Sequence, residues 1–222
     1  MHFEILAEDQ SGKIVIGAVL GKIFGANGPH TFRTIAYKGL GHIPRDLRGT
    51  ADASKRILLQ RLPQLLRGYS KSLPEEAAVV VVVDLDRRDC VQFKGQLLNV
   101  WRGCTPRPRT MFRIAIEEVE AWLLGDEAAL CDAYPNAKRS VIAHYQQDSI
   151  CGTWEVLADA VHPGGAARLA RQGWVAVGRA KSDWATAIAP RLSLDANRSG
   201  SFHAFADGVR RLAEGNWSPQ GF

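Results

Sequence analysis

The sequence VVVVVDLDRRD, which runs from Val79 to Asp89, decides the fold. Five consecutive valines are too apolar and too β-branched for an exposed strand. They predict a central strand of a parallel sheet, buried on both faces. The run ends at Asp84-Leu85-Asp86, at the carboxyl end of that strand, and ligands of open α/β sheets bind outside this end. Because side chains two residues apart on an extended backbone point to the same side, both carboxylates are expected to face one site.

The Asp-x-Asp sequence has a structural and a functional interpretation. In the structural one, an aspartate at the strand exit caps the next helix. In the functional one, two close carboxylates repel each other, and a hard cation such as Mg²⁺ relieves the repulsion. Three chemistries use a strand that ends in this way: phosphatases of the haloacid dehalogenase type, nucleotide-sugar transferases and TOPRIM-type nucleases.

The composition is that of a globular protein with a substantial core. The chain has 222 residues, of which 46% are hydrophobic and 23% are charged. No apolar segment approaches the roughly 20 residues that span a membrane, and the amino-terminal MHFEILAED lacks the cationic start of a signal peptide. We therefore expect a cytoplasmic protein without membrane contact. The four cysteines have no CxxC spacing and the six histidines are scattered, so a zinc site has little support.

Positive charge is concentrated directly after the Asp-x-Asp sequence. The net charge of +5 allows a polyanionic partner. Between Arg87 and Arg113 the chain has seven basic residues and a single acid, Asp89. A nucleotide-sugar transferase would tolerate this arrangement, but it gives no reason for the acids at other strand ends. A phosphatase of the dehalogenase type carries its Asp-x-Asp on the first strand, followed by Gly-Thr, which this chain lacks.

Two other predicted strands also end in acidic residues. Phe3–Ala7 runs into Glu8-Asp9 and then into a helix that Ser11 is expected to cap. Phe112–Ile116 runs into Glu117-Glu118-Val119-Glu120, the predicted start of a further helix. Acids at a helix start are also favoured by the helix dipole, so each cluster alone has a structural explanation.

The remaining pattern predicts one α/β domain. A strand at Thr31–Tyr37 and a helix at Ala53–Gly68, which Pro63 should break or kink, precede the valine strand. Lys181 is expected to begin a helix in the largely helical last third. We predict a mostly parallel sheet flanked by helices over residues 1–135, and a helical extension over residues 136–222 that packs on this core as one continuous domain.

The order of these features resembles the TOPRIM domain, in which an amino-terminal strand ends in Glu and a later hydrophobic strand ends in Asp-x-Asp. The resemblance extends to AEDQSGKIV, the Lys38–His42 turn, IEEVEAWLLGD, and the tail segments KSDWATAIAP and NRSGSF. Together they are similar to a bacterial family of stand-alone OLD-like TOPRIM proteins encoded beside ATPases. The resemblance implies a TOPRIM-like, Rossmann-like fold and a metal-dependent phosphodiester nuclease.

The resemblance also implies roles for individual residues. Glu8, Asp84 and Asp86 match the catalytic and metal-binding acids, Glu120 matches an additional metal ligand, and Lys181 matches a catalytic lysine. The expected cofactor is Mg²⁺ or Mn²⁺, which lowers the pKa of bound water. The basic stretch would hold backbone phosphates without sequence preference. The residues assigned to nucleic-acid contact are Lys38, Arg87, Arg88, Arg107 and Arg109.

The expected partners are nucleic acid, an ABC- or AAA-type ATPase encoded nearby, and a second copy of the chain. The chain has no Walker motif, so ATP dependence would come from the partner. This arrangement suggests a role in anti-phage defence. One alternative is a catalytically silent subunit with a TOPRIM fold that binds nucleic acid or regulates the ATPase. Another is an Asp-x-Asp nucleotide-sugar transferase.

Overall fold

The computed structural model describes residues 1–49, 51–52 and 54–216. Within these residues the protein has a four-stranded, all-parallel sheet with strand order β2-β1-β3-β4. The strands are β1 (His2–Ala7), β2 (Thr31–Ala36), β3 (Ala78–Asp84) and β4 (Thr110–Ala115). In the described residues the helices are α1 (Gln10–Phe24), α2 (Leu58–Ser72), α3 (Cys90–Arg102), α4 (Glu120–Leu124), α5 (Glu127–Ala133), α6 (Arg139–His144), α7 (Thr153–Val161), α8 (Gly165–Ala170), α9 (Trp174–Ile188) and α10 (Gly200–Ala213).

The prediction of a doubly buried valine strand is confirmed. Every residue of β3 is buried. Its side chains alternate between two hydrophobic clusters, one on each face of the sheet. Val79, Val81 and Val83 pack with α2 and α3, whereas Val80 and Val82 pack with α1, α9 and α10. The predicted α/β class with a parallel sheet between helices is therefore correct.

The strand order places a topological switch point between β1 and β3. The chain passes from β1 outward to β2, then returns across β1 to β3 and continues to β4. Because α1 and α3 pack on opposite faces of the sheet, a crevice opens at the carboxyl ends of β1 and β3. Glu8 follows β1 and Asp84 ends β3, so both acids lie at this crevice.

The helices of the last third share a core with the first helix. Buried residues of α7, α9 and α10 lie in the same hydrophobic cluster as α1 and one face of the sheet. The segment NRSGSF has a structural role here. Ser199 caps α10 by accepting a hydrogen bond from the Phe202 amide, and Ser201 accepts one from the indole Nε1 of Trp122 at 2.9 Å. None of the helices in the described residues is long and apolar enough to cross a bilayer.

Several predicted helix boundaries are wrong. Asp9, not Ser11, caps α1, because its side chain accepts the Gly12 amide. The second helix begins at Leu58 and continues through Pro63, while Ala53 lies outside the described residues.

Two boundaries near the predicted site also differ. α4 begins only at Glu120, because Glu117 adopts a left-handed conformation with φ 58° that no α-helix can contain. Lys181 lies in the middle of α9, because the helix continues through Gly178, a poor helix former that obscures the pattern.

Candidate active site

Glu8 and Asp84 are fixed at the switch point by backbone amides. The Glu8 carboxylate accepts hydrogen bonds from the Leu40 amide at 3.1 Å and from the Asp84 amide at 3.3 Å. Asp84 is 6% exposed, and its Oδ1 accepts the Val119 amide at 3.1 Å. The sheet register and these bonds bring the two predicted acids together. Neither carboxylate forms an ion pair among the described residues.

Burial and mutual repulsion raise the pKa values of both carboxyl groups. For Glu8, burial and then the charge of Asp86 raise the pKa from its ordinary value of 4.5 to about 7. For Asp84, burial and then the charge of Glu8 raise the pKa well above its ordinary range. Perturbed carboxyl groups in a cleft mark a candidate functional site.

Asp86 lies at the edge of this site on a constrained turn. It has a positive φ of 50°, and its amide donates to the Glu117 carbonyl at 2.9 Å. Its carboxylate forms an ion pair with Arg88, whose guanidinium stands over the Phe93 ring with its central carbon 5.1 Å from the ring centroid. Asp86 is close enough for its charge to raise the pKa of Glu8. It is more exposed than Asp84 and already has one positive partner, Arg88.

Lys181 contacts two further acids, Glu118 and Glu120, at the start of α4. Its Nζ lies 3.1 Å from Oε2 of Glu120, in an ion pair without hydrogen-bond geometry, and 3.5 Å from Oε2 of Glu118. Ser11 donates a hydrogen bond to Oε1 of Glu120 at 2.9 Å. We call Glu8, Asp84, Asp86, Glu118 and Glu120, together with Lys181, the acidic cluster.

The ion pairs of Lys181 outweigh the cost of its burial. Burial alone lowers the pKa of Lys181, but the charges of Glu120, Glu118 and Asp84 together raise it well above its ordinary value. For Glu118, burial and then the charge of Glu120 raise the pKa to about 8. Lys181 and Glu120 therefore lie at the predicted site, but each is already engaged with the other.

Glu117 joins the site to the loop before α7. Its carboxylate accepts the amides of Cys151, Gly152 and Thr153 at 2.8–3.0 Å, and it also accepts the Thr153 hydroxyl. Burial opposes ionisation, but the hydrogen bonds from Thr153 and its neighbours outweigh it and lower the pKa of Glu117. A cavity of about 730 Å³ opens beside this loop, between α6 and Cys151.

Sequence reasoning missed three acids. The sequence pattern predicts Glu117 and Glu118 only as part of a helix start, and it gives no role to Glu155. Burial and, to a smaller extent, the charge of Glu117 raise the pKa of Glu155, whose Oε2 is buried without a hydrogen-bond partner in the described residues. Helical periodicity in the sequence does not show that Glu117 and Glu118 lie outside α4. Glu155 comes near the acidic cluster only through the tertiary fold.

The predicted nucleic-acid residues divide between the two ends of the sheet. Lys38 is exposed in the loop after β2, whose Gly39 amide donates to the Glu8 carbonyl at 3.1 Å, and Arg87 is exposed beside Asp86. Arg107 and Arg109 instead precede β4 at the amino end of the sheet, where the Arg107 guanidinium lies over the Trp101 ring. The structure therefore does not bring Arg107 and Arg109 to the acidic cluster.

The donor chemistry of the cluster suits a hard divalent cation. Glu8 and Asp84 present buried, mutually repelling carboxylate oxygens, the ligand type that Mg²⁺ prefers. Among the described residues, no three His, Cys, Asp or Glu side chains are already arranged to hold a metal ion. Binding would thus require the carboxylates to reorient, with Glu8, Asp84 and Asp86 as the donors.

The fold and site define an α/β protein with a buried acidic cluster at the switch point of a parallel sheet. Residues 7–210 match the model of the family described as "Domain of unknown function (DUF4276)", which covers most of the chain. The chain therefore belongs to the DUF4276 family. No curated protein and no solved structure matches it. The TOPRIM resemblance stays a prediction.

Proposed function

We propose that the protein is a metal-dependent phosphodiester nuclease with a TOPRIM-like site. The observation that carries the proposal is the convergence of Glu8 and Asp84 at the switch point, where no side-chain cation of the described residues forms an ion pair with either. A purely structural pair of acids would be expected to carry a positive partner, as Glu120 does.

The proposed mechanism gives each residue a separate task. Glu8, Asp84 and Asp86 would hold Mg²⁺ or Mn²⁺, which when bound supplies Lewis-acid stabilisation of the scissile phosphate and a lowered pKa for water. Lys181 acts electrostatically, since its charge favours the ionised forms of both Glu8 and Asp84. The backbone amides of Leu40 and Val119 orient these two carboxylates for the task.

The nucleic-acid contact in this proposal is local to the carboxyl edge of the sheet. Lys38 and Arg87 are exposed there and would contact phosphates on either side of the scissile bond. Arg88 is engaged by Asp86. Arg107 and Arg109 would contribute only to a substrate that extends around the molecule to the amino edge.

The test is a cleavage assay with the purified full chain. Plasmid, linear duplex, single-stranded DNA and tRNA are incubated with Mg²⁺, with Mn²⁺ or with EDTA. We expect cleavage that depends strictly on the divalent cation. The isosteric Asp84→Asn variant should lose roughly 100-fold or more in rate, comparable to the loss of one strong electrostatic contributor. Glu76→Gln, which changes an exposed acid before β3, is the matched control and should cleave normally.

Two outcomes would contradict the proposal. If the wild type and Asp84→Asn, purified in parallel, cleave equally fast, Asp84 is not part of the active site and the assignment of the site is wrong. Binding of nucleic acid without cleavage under any metal condition would instead favour the catalytically silent subunit. The ATPase partner, the homodimer and the defence role stay predictions from the resemblance.

A further inference from the structure

The start of α9 carries an exposed indole beside a buried one. Trp174 is 79% exposed and its neighbour Val175 is 90% exposed. The Trp174 ring packs against Trp154, with a centroid distance of 6.3 Å and an angle of 67° between the rings. Trp154 is only 8% exposed, so it anchors the Trp174 ring while leaving most of it open to solvent. A fixed, solvent-exposed Trp ring offers a face on which another ring can stack.

The chain around Trp174 is uniformly basic. From Ala160 to Ser182 it has three arginines and one lysine and no acid. Arg168, Arg171 and Arg179 are exposed, and none of them takes part in an ion pair of the described residues. This segment therefore favours an anionic occupant, although Asp183 lines the neighbouring cavity together with Arg179.

The helix aligns this surface with the acidic cluster. Trp174 and Lys181 are seven residues apart on α9, so they lie on the same helix face at a separation of about 10 Å along the axis. Gly178 lies between them, and a Cβ placed there would have no heavy atom within 4 Å. The helix surface is therefore open at Gly178, between Trp174 and Lys181.

We propose that Trp174 is a stacking platform for an unpaired base of single-stranded nucleic acid, and that Arg168 and Arg171 contact the adjacent phosphates. Aromatic rings beside arginines bind single strands in this way without sequence preference. The separation of about 10 Å corresponds to roughly three stacked steps of a strand. The proposal deepens the proposed function and rests on it in one respect, since the strand would lead to the nuclease site.

The surface fits a protein partner less well. Trp174 and Val175 are the only large exposed hydrophobic residues of α8 and α9 in the described part of the chain. Protein interfaces are organised around a larger buried apolar centre, whereas a single aromatic ring with free arginines suffices for a base and its phosphates. A protein partner is therefore treated as an outcome of the test.

The test measures binding without cleavage. Fluorescein-labelled 12-mers, single-stranded or duplex, are titrated with the full chain in EDTA, and the dissociation constant is read from fluorescence anisotropy at several salt concentrations. Trp174→Ala should weaken single-strand binding by about 5- to 150-fold, the range measured for one stacked base. Trp174→Phe should retain most of the affinity, and Val175→Ala, which removes an equally exposed apolar side chain, should leave it unchanged.

The salt dependence of binding distinguishes the contribution of the Trp174 ring from that of the arginines. Trp174→Ala should leave the slope of log affinity against log salt unchanged, whereas Arg171→Ala should flatten it by about 0.7. Wild-type affinity in Trp174→Ala, stronger duplex than single-strand binding, or no binding by the wild type would each overturn the proposal. The last result would leave a protein as the occupant. Because EDTA prevents metal-dependent cleavage, the platform can hold while the nuclease assignment fails, or the reverse.

Discussion

The acidic cluster has two halves that balance their charge differently. In the half formed by α4 and α9, Glu118 and Glu120 share Lys181 at 3.5 and 3.1 Å. In the half formed by β1 and β3, Glu8 and Asp84 are held by backbone amides alone. Backbone amides orient a carboxylate but carry no full charge, so this second half keeps its repulsion. The difference indicates where an external cation would be most favourable.

The comparison changes the role expected for Glu120. The resemblance implied a metal ligand, but the structure gives Glu120 a lysine and a serine as partners. Burial and then the charge of Glu120 raise the pKa of Glu118, which favours its neutral form, so one lysine suffices for this half. We therefore expect the metal donors to be Glu8, Asp84 and Asp86.

The largest effect on stability should come from removing the positive charge of Lys181. Lys181→Met leaves Glu118 and Glu120 buried without their positive partner, and breaking a buried ion pair in this way costs about 3–5 kcal/mol of unfolding free energy. Urea unfolding in EDTA at pH 8 measures this loss. Asp84→Asn should act in the opposite direction under the same conditions, because it removes one of two repelling charges.

A double variant distinguishes charge from packing in that experiment. Lys181→Met combined with Glu120→Gln removes one of the two uncompensated carboxylates, the one nearer to Lys181, so part of the lost stability should return. If the double variant is as unstable as Lys181→Met alone, the ion pair is not what Lys181 contributes, and the comparison between the two halves fails.

A smaller effect is expected from pH. The pKa values of Glu8 and Glu118 are raised in the folded state to about 7 and about 8, so the folded chain binds these protons more tightly than the unfolded chain. Their stabilising contribution is complete below about pH 4.5 and is lost as the pH rises through 7 and 8. The melting temperature of the metal-free protein should therefore fall between about pH 4.5 and 8 and level off above that range.

The Glu8→Gln variant sharpens the pH experiment. A glutamine cannot ionise, so the decline in melting temperature should be shallower than in the wild type, with the difference in slope lying between about pH 4.5 and 7. Identical pH profiles for the two proteins would mean that Glu8 does not carry a raised pKa in the folded state.

The sequence predicted the parts of the site that lie on strands. Five valines require a doubly buried strand, and strand periodicity together with the parallel sheet brings Glu8 and Asp84 to one edge. These relations follow from backbone geometry, which the sequence pattern encodes directly. The positions of the acids after β4 were harder to predict from the sequence. The left-handed turn at Glu117 depends on the tertiary hydrogen bonds that Glu117 makes to the loop before α7.

The tertiary fold explains why the positions of Lys181 and of the basic residues could not be predicted from the sequence. The sequence pattern predicts a helix start at Lys181 because Gly178 interrupts it, but Lys181 lies in the middle of α9, which packs on α1. The basic segment after Asp86 is continuous in sequence, but α3 and the start of β4 carry its second half to the opposite edge of the sheet. A run of charged residues in a sequence therefore predicts one continuous charged surface only if no helix or strand within the run carries part of it to another side of the molecule.

The most direct test of the two-halves account is a calorimetric titration of the purified, metal-free protein with Mn²⁺. It compares the wild type with Asp84→Asn and Glu120→Gln, one variant from each half of the acidic cluster. We predict that Mn²⁺ binding is lost in Asp84→Asn and retained in Glu120→Gln. Binding that survives Asp84→Asn and disappears in Glu120→Gln would contradict the account.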